Sequence, residues 1–497
     1  MKRSSGIILP VYALPSPYGV GSLGQAALDF VDFLVDAGQA WWQMLPVGPT
    51  SYGDSPYQSP STFAGNPYFI DLDALVADGL LEQAEVDAVD WGNDPACVDY
   101  SGLFEKRPAL LRRAYERGWK RDGASVEAFR AKNASWLEDY ALFMAVKRHF
   151  GMATWTEWPD EAIRLREPSA ITRYRDLLAD EVHYNVYVQF LFFKQWERLH
   201  DYARDKGVGL MGDMPIYVAL DSADVWANPA QFMLDERNMP TEVAGVPPDA
   251  FTADGQLWGN PLYDYQAMEA DGFGWWIRRV SGAAQLFDML RIDHFRGFES
   301  FWTVPAGDAT AHNGRWVKGP GMKLVGTLQD RFPQLRLVAE DLGYATPEVA
   351  ALLADSGLPG MKVLEFAFDS RDANGPAHRP HNYTANCLCY VGTHDNATIM
   401  QWHDEADPAD VQQATQYLGI HDPEGFAWGF IRGGMASVAG LFVAQMQDYL
   451  ELGAEARTNT PGTSGNNWRW RMTAGQATPE LASRIATMTK LYGRNAR

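Results

Sequence analysis

The sequence predicts an α/β protein, a (β/α)8 TIM barrel with helical and loop insertions around its active-site face. Two observations carry this. Short, nearly continuous apolar runs recur along the chain, as parallel strands covered on both faces require. Amphipathic stretches of helical length separate many of them, the alternation of a parallel sheet with its covering helices. With 497 residues, 46% of them hydrophobic, the chain can build a large core as one unit.

In order, the predicted strands are residues 6–9, 41–47, 208–213, 290–295, 335–340, 361–366, 388–393 and, as the eighth, 468–472. The first run follows Met1-Lys2-Arg3 but is too short for a signal peptide, contains Pro10 and lacks a small-x-small cleavage site. No run approaches the roughly 20 apolar residues of a membrane span. Two spacings exceed a simple barrel unit. Residues 70–205 read as a mostly helical insertion, and residues 214–288, rich in Pro, Gly and aromatics, as a loop-rich one. The whole of 1–497 reads as a single catalytic unit, and nothing in it signals an oligomeric state.

The net charge is −21, from 63 acidic and 42 basic residues. Such a surface repels phosphate backbones and anionic lipid, so neither nucleic acid nor a membrane is an expected partner. A neutral sugar meets no such repulsion. Three cysteines, Cys97, Cys387 and Cys389, form no disulfide framework and no zinc spacing, which points to reduced thiols, a cytoplasmic setting and no metal site.

Barrel enzymes carry their chemistry at the carboxyl ends of the strands. Here four predicted strands end in or run into acids: Asp213, Asp293, the pair Glu340 and Asp341, and Asp395. Acids gathered on one rim suit glycoside cleavage, in which one carboxylate attacks the anomeric carbon and a protonated carboxyl serves the leaving oxygen. Neighbouring negative charge keeps that second group protonated. Arg291 lies two residues before Asp293, on the same side of the strand, where a guanidinium keeps the nucleophile ionised. Carboxylates alone do not distinguish α from β linkages.

Leu290-Arg-Ile-Asp-His-Phe-Arg-Gly297, Val338-Ala-Glu-Asp-Leu-Gly343 and Gly392-Thr-His-Asp-Asn396 resemble the catalytic motifs of the amylomaltases, or 4-α-glucanotransferases, of glycoside hydrolase family 77. Further matches run in order. Ser55-Pro-Tyr-Gln58 with Phe63-Ala-Gly-Asn-Pro67 resembles an early substrate loop, Gly212-Asp-Met-Pro-Ile-Tyr-Val218 the third strand, Gly255-Gln-Leu-Trp-Gly-Asn-Pro261 an active-site lid, and Asn459-Thr-Pro-Gly-Thr463 a late rim loop. The resemblance implies transfer of an α-1,4-glucan segment to the 4-hydroxyl of glucose or another glucan, with maltooligosaccharides as substrates and no metal or organic cofactor. It implies Asp293 as nucleophile, Glu340 as general acid and then base, and Asp395 as the group stabilising the transition state. It also implies substrate contacts from Asp213, Arg291, His294, Asp341, His394 and, by stacking, Tyr57. Two departures touch the rim: Ala397 stands where relatives often carry Asp, and Ser464-Gly-Asn-Asn-Trp468 replaces an acidic residue followed by Pro-Asn-Trp.

Transfer in place of hydrolysis needs a bound acceptor and restricted water. The segment from Phe251 to Tyr265 suits a lid, with Gly255 and Gly259 as pivots and with Gln256 and Trp258 as a polar hook and a flat face. Tyr52 and Tyr100 mark a candidate peripheral glucan site. The competing readings are an α-amylase-like hydrolase, a non-catalytic glucan-binding protein and a phosphorylase-type enzyme; the last lacks a glycine-rich phosphate loop.

Overall fold

The computed structural model describes residues 2–248, 253–343, 346–371 and 374–495. Eight parallel strands form the central sheet: β1 (Ser4–Ile8), β2 (Trp41–Gln43), β3 (Gly209–Met214), β4 (Met289–Ile292), β5 (Arg336–Ala339), β6 (Gly360–Val363), β7 (Cys387–Tyr390) and β8 (Leu441–Gln445). Their order is β6-β7-β8-β1-β2-β3-β4-β5. Two contacts hold the remaining seam. The Ala339 N–H donates to the Pro359 carbonyl at 3.0 Å, and the Met361 N–H donates to Asp341 Oδ1 at 2.7 Å.

The strands are apolar on both faces because both faces are covered. Alternate residues, including Ile8, Met211, Met289, Met361, Val363, Leu388, Tyr390, Leu441 and Val443, fill the interior. Their neighbours in sequence face a ring of helices. Gly6 permits the close approach of β1 to β2: a Cβ there would lie 2.7 Å from both Cβ and O of Trp41.

The eighth strand corrects the sequence reading. It is Leu441–Gln445, buried throughout and paired with both β1 and β7. Its apolar run follows closely on the apolar helix Phe426–Ala436, which hides it as a separate element. The expected strand at 468–472 lies outside the barrel. There Trp470 makes an isolated antiparallel bridge to Cys97, the Val98 N–H donates to Arg469 O at 2.8 Å, and the Arg471 N–H donates to Ala96 O at 2.8 Å.

Helices dominate the connection from β2 to β3 and end in Ala179–Asp205, which lies against the barrel through the Trp196 indole, donating to Leu286 O at 3.2 Å. The connection from β3 to β4 contains two strands, Glu242–Val246 and Gln256–Pro261. They join Ser300–Pro305 and Arg315–Lys318 in a four-stranded antiparallel sheet that the sequence did not disclose. Phe251, where the expected lid begins, lies outside the described residues. Among the described residues all three cysteines are free, and no helix is long and apolar enough to cross a membrane.

Candidate active site

The acids meet at the carboxyl ends of the strands. Asp213 lies within β3, Asp293 one residue past β4, Glu340 one past β5, and Asp395 on the loop after β7. Arg291, inside β4, is their electrostatic hub. Its Nη1 lies 2.7 Å from both carboxylate oxygens of Asp213 and 2.8 Å from Oδ1 of Asp293. The side chains of Arg291 and Asp213 are 3% and 0% exposed, so the pair is withdrawn from water. Burial opposes charge on Arg291, but Asp213 and Asp293 outweigh it and raise the guanidinium well above its ordinary value. The cation is fixed, and with it the environment of Asp293.

Glu340 is held differently. Its Oε2 accepts the His294 N–H at 2.9 Å and its Oε1 the Leu342 N–H at 2.6 Å. The first bond depends on a left-handed residue: His294 has φ 53° and ψ 46°, which turns the chain sharply after Asp293. Burial, reinforced by the charge of Asp293 and opposed by Arg291, pushes the Glu340 carboxyl up to about 7. Asp293 beside Arg291 and Glu340 raised to about 7 thus place two carboxyls in opposite electrostatic settings at one rim, the division of labour glycoside chemistry uses.

Tyr57 ties the early loop to this group. Its hydroxyl donates to Asp213 Oδ2 at 2.9 Å and lies 2.7 Å from His394 Nε2. With its one proton given to Asp213, the phenol oxygen accepts, so His394 Nε2 carries a proton. The Tyr57 and His394 rings stack at 5.2 Å, and Trp468 packs against both, at 5.7 and 6.0 Å. His394 Nε2 is also 3.3 Å from Asp395 Oδ2. Burial lowers His294 to about 4 and leaves it neutral. Trp258 meets the His294 ring edge to face at 4.8 Å, and its indole N–H donates to Gln256 Oε1 at 3.0 Å.

Asp341 parts from the group: its carboxylate takes the Met361 N–H at the β5–β6 seam, a contact within the barrel wall. Tyr100 is buried and its hydroxyl donates to Trp468 O at 2.7 Å, while the side chain of Tyr52 lies outside the described residues. Two residues that no acid pattern singles out join the site. Asn459 Nδ2 donates to Asp395 Oδ1 at 2.6 Å, and Arg457 Nη2 donates to Asp395 O at 3.1 Å. The turn Asn459-Thr-Pro-Gly was the only signal for the first; nothing in the sequence flagged the second. Among the described residues, no group of three or more His, Cys, Asp or Glu side chains is placed to hold a metal ion.

A parallel barrel with an Arg-anchored carboxylate and a second carboxyl raised to about 7 at its rim defines an enzyme of glycosidic-bond chemistry. Residues 9–477 match the model of the family described as 4-alpha-glucanotransferase. The chain is 47% identical to the 4-alpha-glucanotransferase of Streptococcus pneumoniae serotype 4 over 495 residues, covering 99% of this chain and 98% of that one. It is 47% identical to that of Thermus thermophilus over 502 residues, covering 99% of each. The solved structure of the amylomaltase from Streptococcus agalactiae in complex with acarbose superposes with a TM-score of 0.96 at 40% identity, covering 99% of this chain and 100% of that one. The chain belongs to the 4-α-glucanotransferases of glycoside hydrolase family 77, transferases acting on α-glucans.

Proposed function

We propose that the protein transfers α-1,4-glucan segments between maltooligosaccharides, or to glucose, by a retaining double displacement. Asp293 attacks the anomeric carbon and forms a glucosyl ester, while Glu340 gives its proton to the departing glycosidic oxygen. The acceptor's 4-hydroxyl then attacks the same carbon, Glu340 takes its proton, and Asp293 is released. Arg291 pairs with Asp293 at 2.8 Å and holds it in place between turnovers. Asp395 holds sugar hydroxyls as positive charge grows on the ring, with Asp213, His294, His394 and Tyr57 around the scissile bond. Asp341 acts through the rim, as a brace of the β5–β6 seam. The observation that carries this reading is the contrast between Asp293, 2.8 Å from Arg291, and Glu340, which takes two backbone N–H groups and is raised to about 7.

The segment 214–288 supplies the lid: Gln256 and Trp258, joined by a hydrogen bond and seated over His294, favour a sugar acceptor over water. Residues 70–205 buttress the barrel, and the free thiols fit a cytoplasmic enzyme. Purified protein incubated with maltotriose tests the proposal. A ladder of longer maltooligosaccharides together with glucose is expected; maltose and glucose alone would indicate a hydrolase.

A further inference from the structure

We propose that Arg457 is a positioning residue that sets the catalytic geometry of Asp395 from outside the barrel. The inference rests on the reading of Asp395 given above.

Asp395 is more exposed than Asp213 or Asp293, with 42% of its side chain accessible against 0% and 26%, and it sits on a loop instead of a strand. The rest of that loop is fixed by its own turn and by the residues beneath it. Asn396 Oδ1 accepts both the N–H and the hydroxyl of Thr393, each at 2.9 Å. At the far end the Ile399 N–H is held by buried Asp448 at 2.9 Å. A Cβ on Gly392 would lie 3.1 Å from the Glu365 carboxylate, so the loop's start is pressed onto the layer below.

Within the loop, Asp395 donates its N–H to Thr393 Oγ1 at 3.3 Å and meets His394 Nε2 at 3.3 Å; its other holds come from elsewhere. Arg457 Nη2 donates to its main-chain carbonyl at 3.1 Å. Arg457 Nε donates to the carbonyl of Asn459 at 2.8 Å, and Asn459 Nδ2 donates to Asp395 Oδ1 at 2.6 Å. One rigid guanidinium therefore spaces the main chain of the acid against the main chain of the residue that holds its carboxylate. These bonds go to carbonyls, the pattern of a strut. Lysine cannot reproduce it, because a single ammonium lacks the planar fork that spans two acceptors. A misplaced Asp395 binds the resting sugar nearly as well but meets the developing charge poorly, so the loss falls on turnover.

The test measures maltotriose disproportionation by Arg457→Gln and Arg457→Lys, each also combined with Asp395→Asn and assayed with an activated glycosyl fluoride donor. Arg457→Gln is expected to lower kcat by about 30-fold with KM within about twofold, and Arg457→Lys to lower it by about fivefold. In the Asp395→Asn background Arg457→Gln should cost less than about threefold more, because its effect runs through Asp395. Parental kcat in either Arg457 variant, or an undiminished Arg457→Gln effect in the Asp395→Asn background, overturns the inference and leaves the reading of Asp395 intact. Full turnover by Asp395→Asn alone overturns both. Should Arg457→Gln fail to fold, Arg457→Lys decides the matter by the same kcat and KM comparison.

Discussion

Two sides of the same rim hold their acids by different means. On the β4–β5 side, Asp293 and Glu340 directly follow strands and are fixed by groups of those strands or the next residues: Arg291 in β4, and the N–H groups of His294 and Leu342. On the β7 side, Asp395 stands on a loop, where beyond its neighbours Thr393 and His394 it is held by Asn459 and Arg457, more than sixty residues later in the chain. The covalent and proton-transfer groups are thus integral to the barrel, whereas the third acid is braced by a neighbouring loop. Bond making and breaking demands a fixed attack geometry, and strand ends supply it; a group that holds hydroxyls tolerates a longer chain of support.

Removing the barrel-built nucleophile gives the largest expected effect. Asp293→Asn should lower maltotriose disproportionation by about 10⁴-fold or more, read from product chromatography with the fold checked by circular dichroism. Arg291→Lys keeps a buried cation but gives up the donor shared by Asp213 and Asp293; a loss of about 100-fold in kcat is expected, larger than that for the corresponding change at Arg457. The pH profile sharpens the comparison further. Glu340 must be protonated to act as an acid and its folded value is about 7, so kcat/KM should fall about tenfold per unit as pH rises above 7. The Arg457 variants should keep that limb in place, since they act on the other side of the rim. Trp258→Ala, which opens the lid over His294, should raise the ratio of hydrolysis to transfer by about fivefold.

The smallest effect on turnover is expected beneath the Asp395 loop. Burial raises Asp448 to about 7 in the folded chain, while an unfolded Asp ionises near 4. The folded state therefore binds the extra proton between these values, and this contribution to stability is full below pH 4 and is lost as pH rises to 7. Asp448→Asn, which keeps an acceptor for Ile399, should raise stability by about 1–3 kcal/mol at pH 8, by little at pH 4, and change kcat by less than about threefold; denaturant melts at the two pH values check this.

The legible parts of the molecule were those with short-range signatures. Seven strands showed as apolar runs, with ends displaced by a few residues because the chain stays apolar beyond the last ladder bond. Strand β8 was missed because Leu441–Gln445 and the preceding helix are both apolar, leaving Ser437 and Gly440 as weak punctuation. The antiparallel sheet was missed because its four strands come from two connections, separated by β4 itself. Spacing placed Arg291 and Asp293 on one side of a strand, but the third member of that contact, Asp213, comes from a different strand, and its pairing is a matter of register. Glu340 and Asp341 are adjacent, so a strand-like chain sends them to opposite sides, one to the cleft and one to the seam. Arg457 carries no local pattern, because its partners are carbonyl oxygens, which every residue has.

The sharing of one guanidinium by Asp213 and Asp293 has a pharmacological consequence. With Asp395 nearby and Glu340 able to ionise, the cleft holds more negative than positive charge before any sugar arrives. A sugar-shaped ammonium ion, its nitrogen near the position of the anomeric carbon or the glycosidic oxygen, meets the charge the site is built to receive. Basic aza-sugars should therefore inhibit more strongly than neutral analogues of equal size.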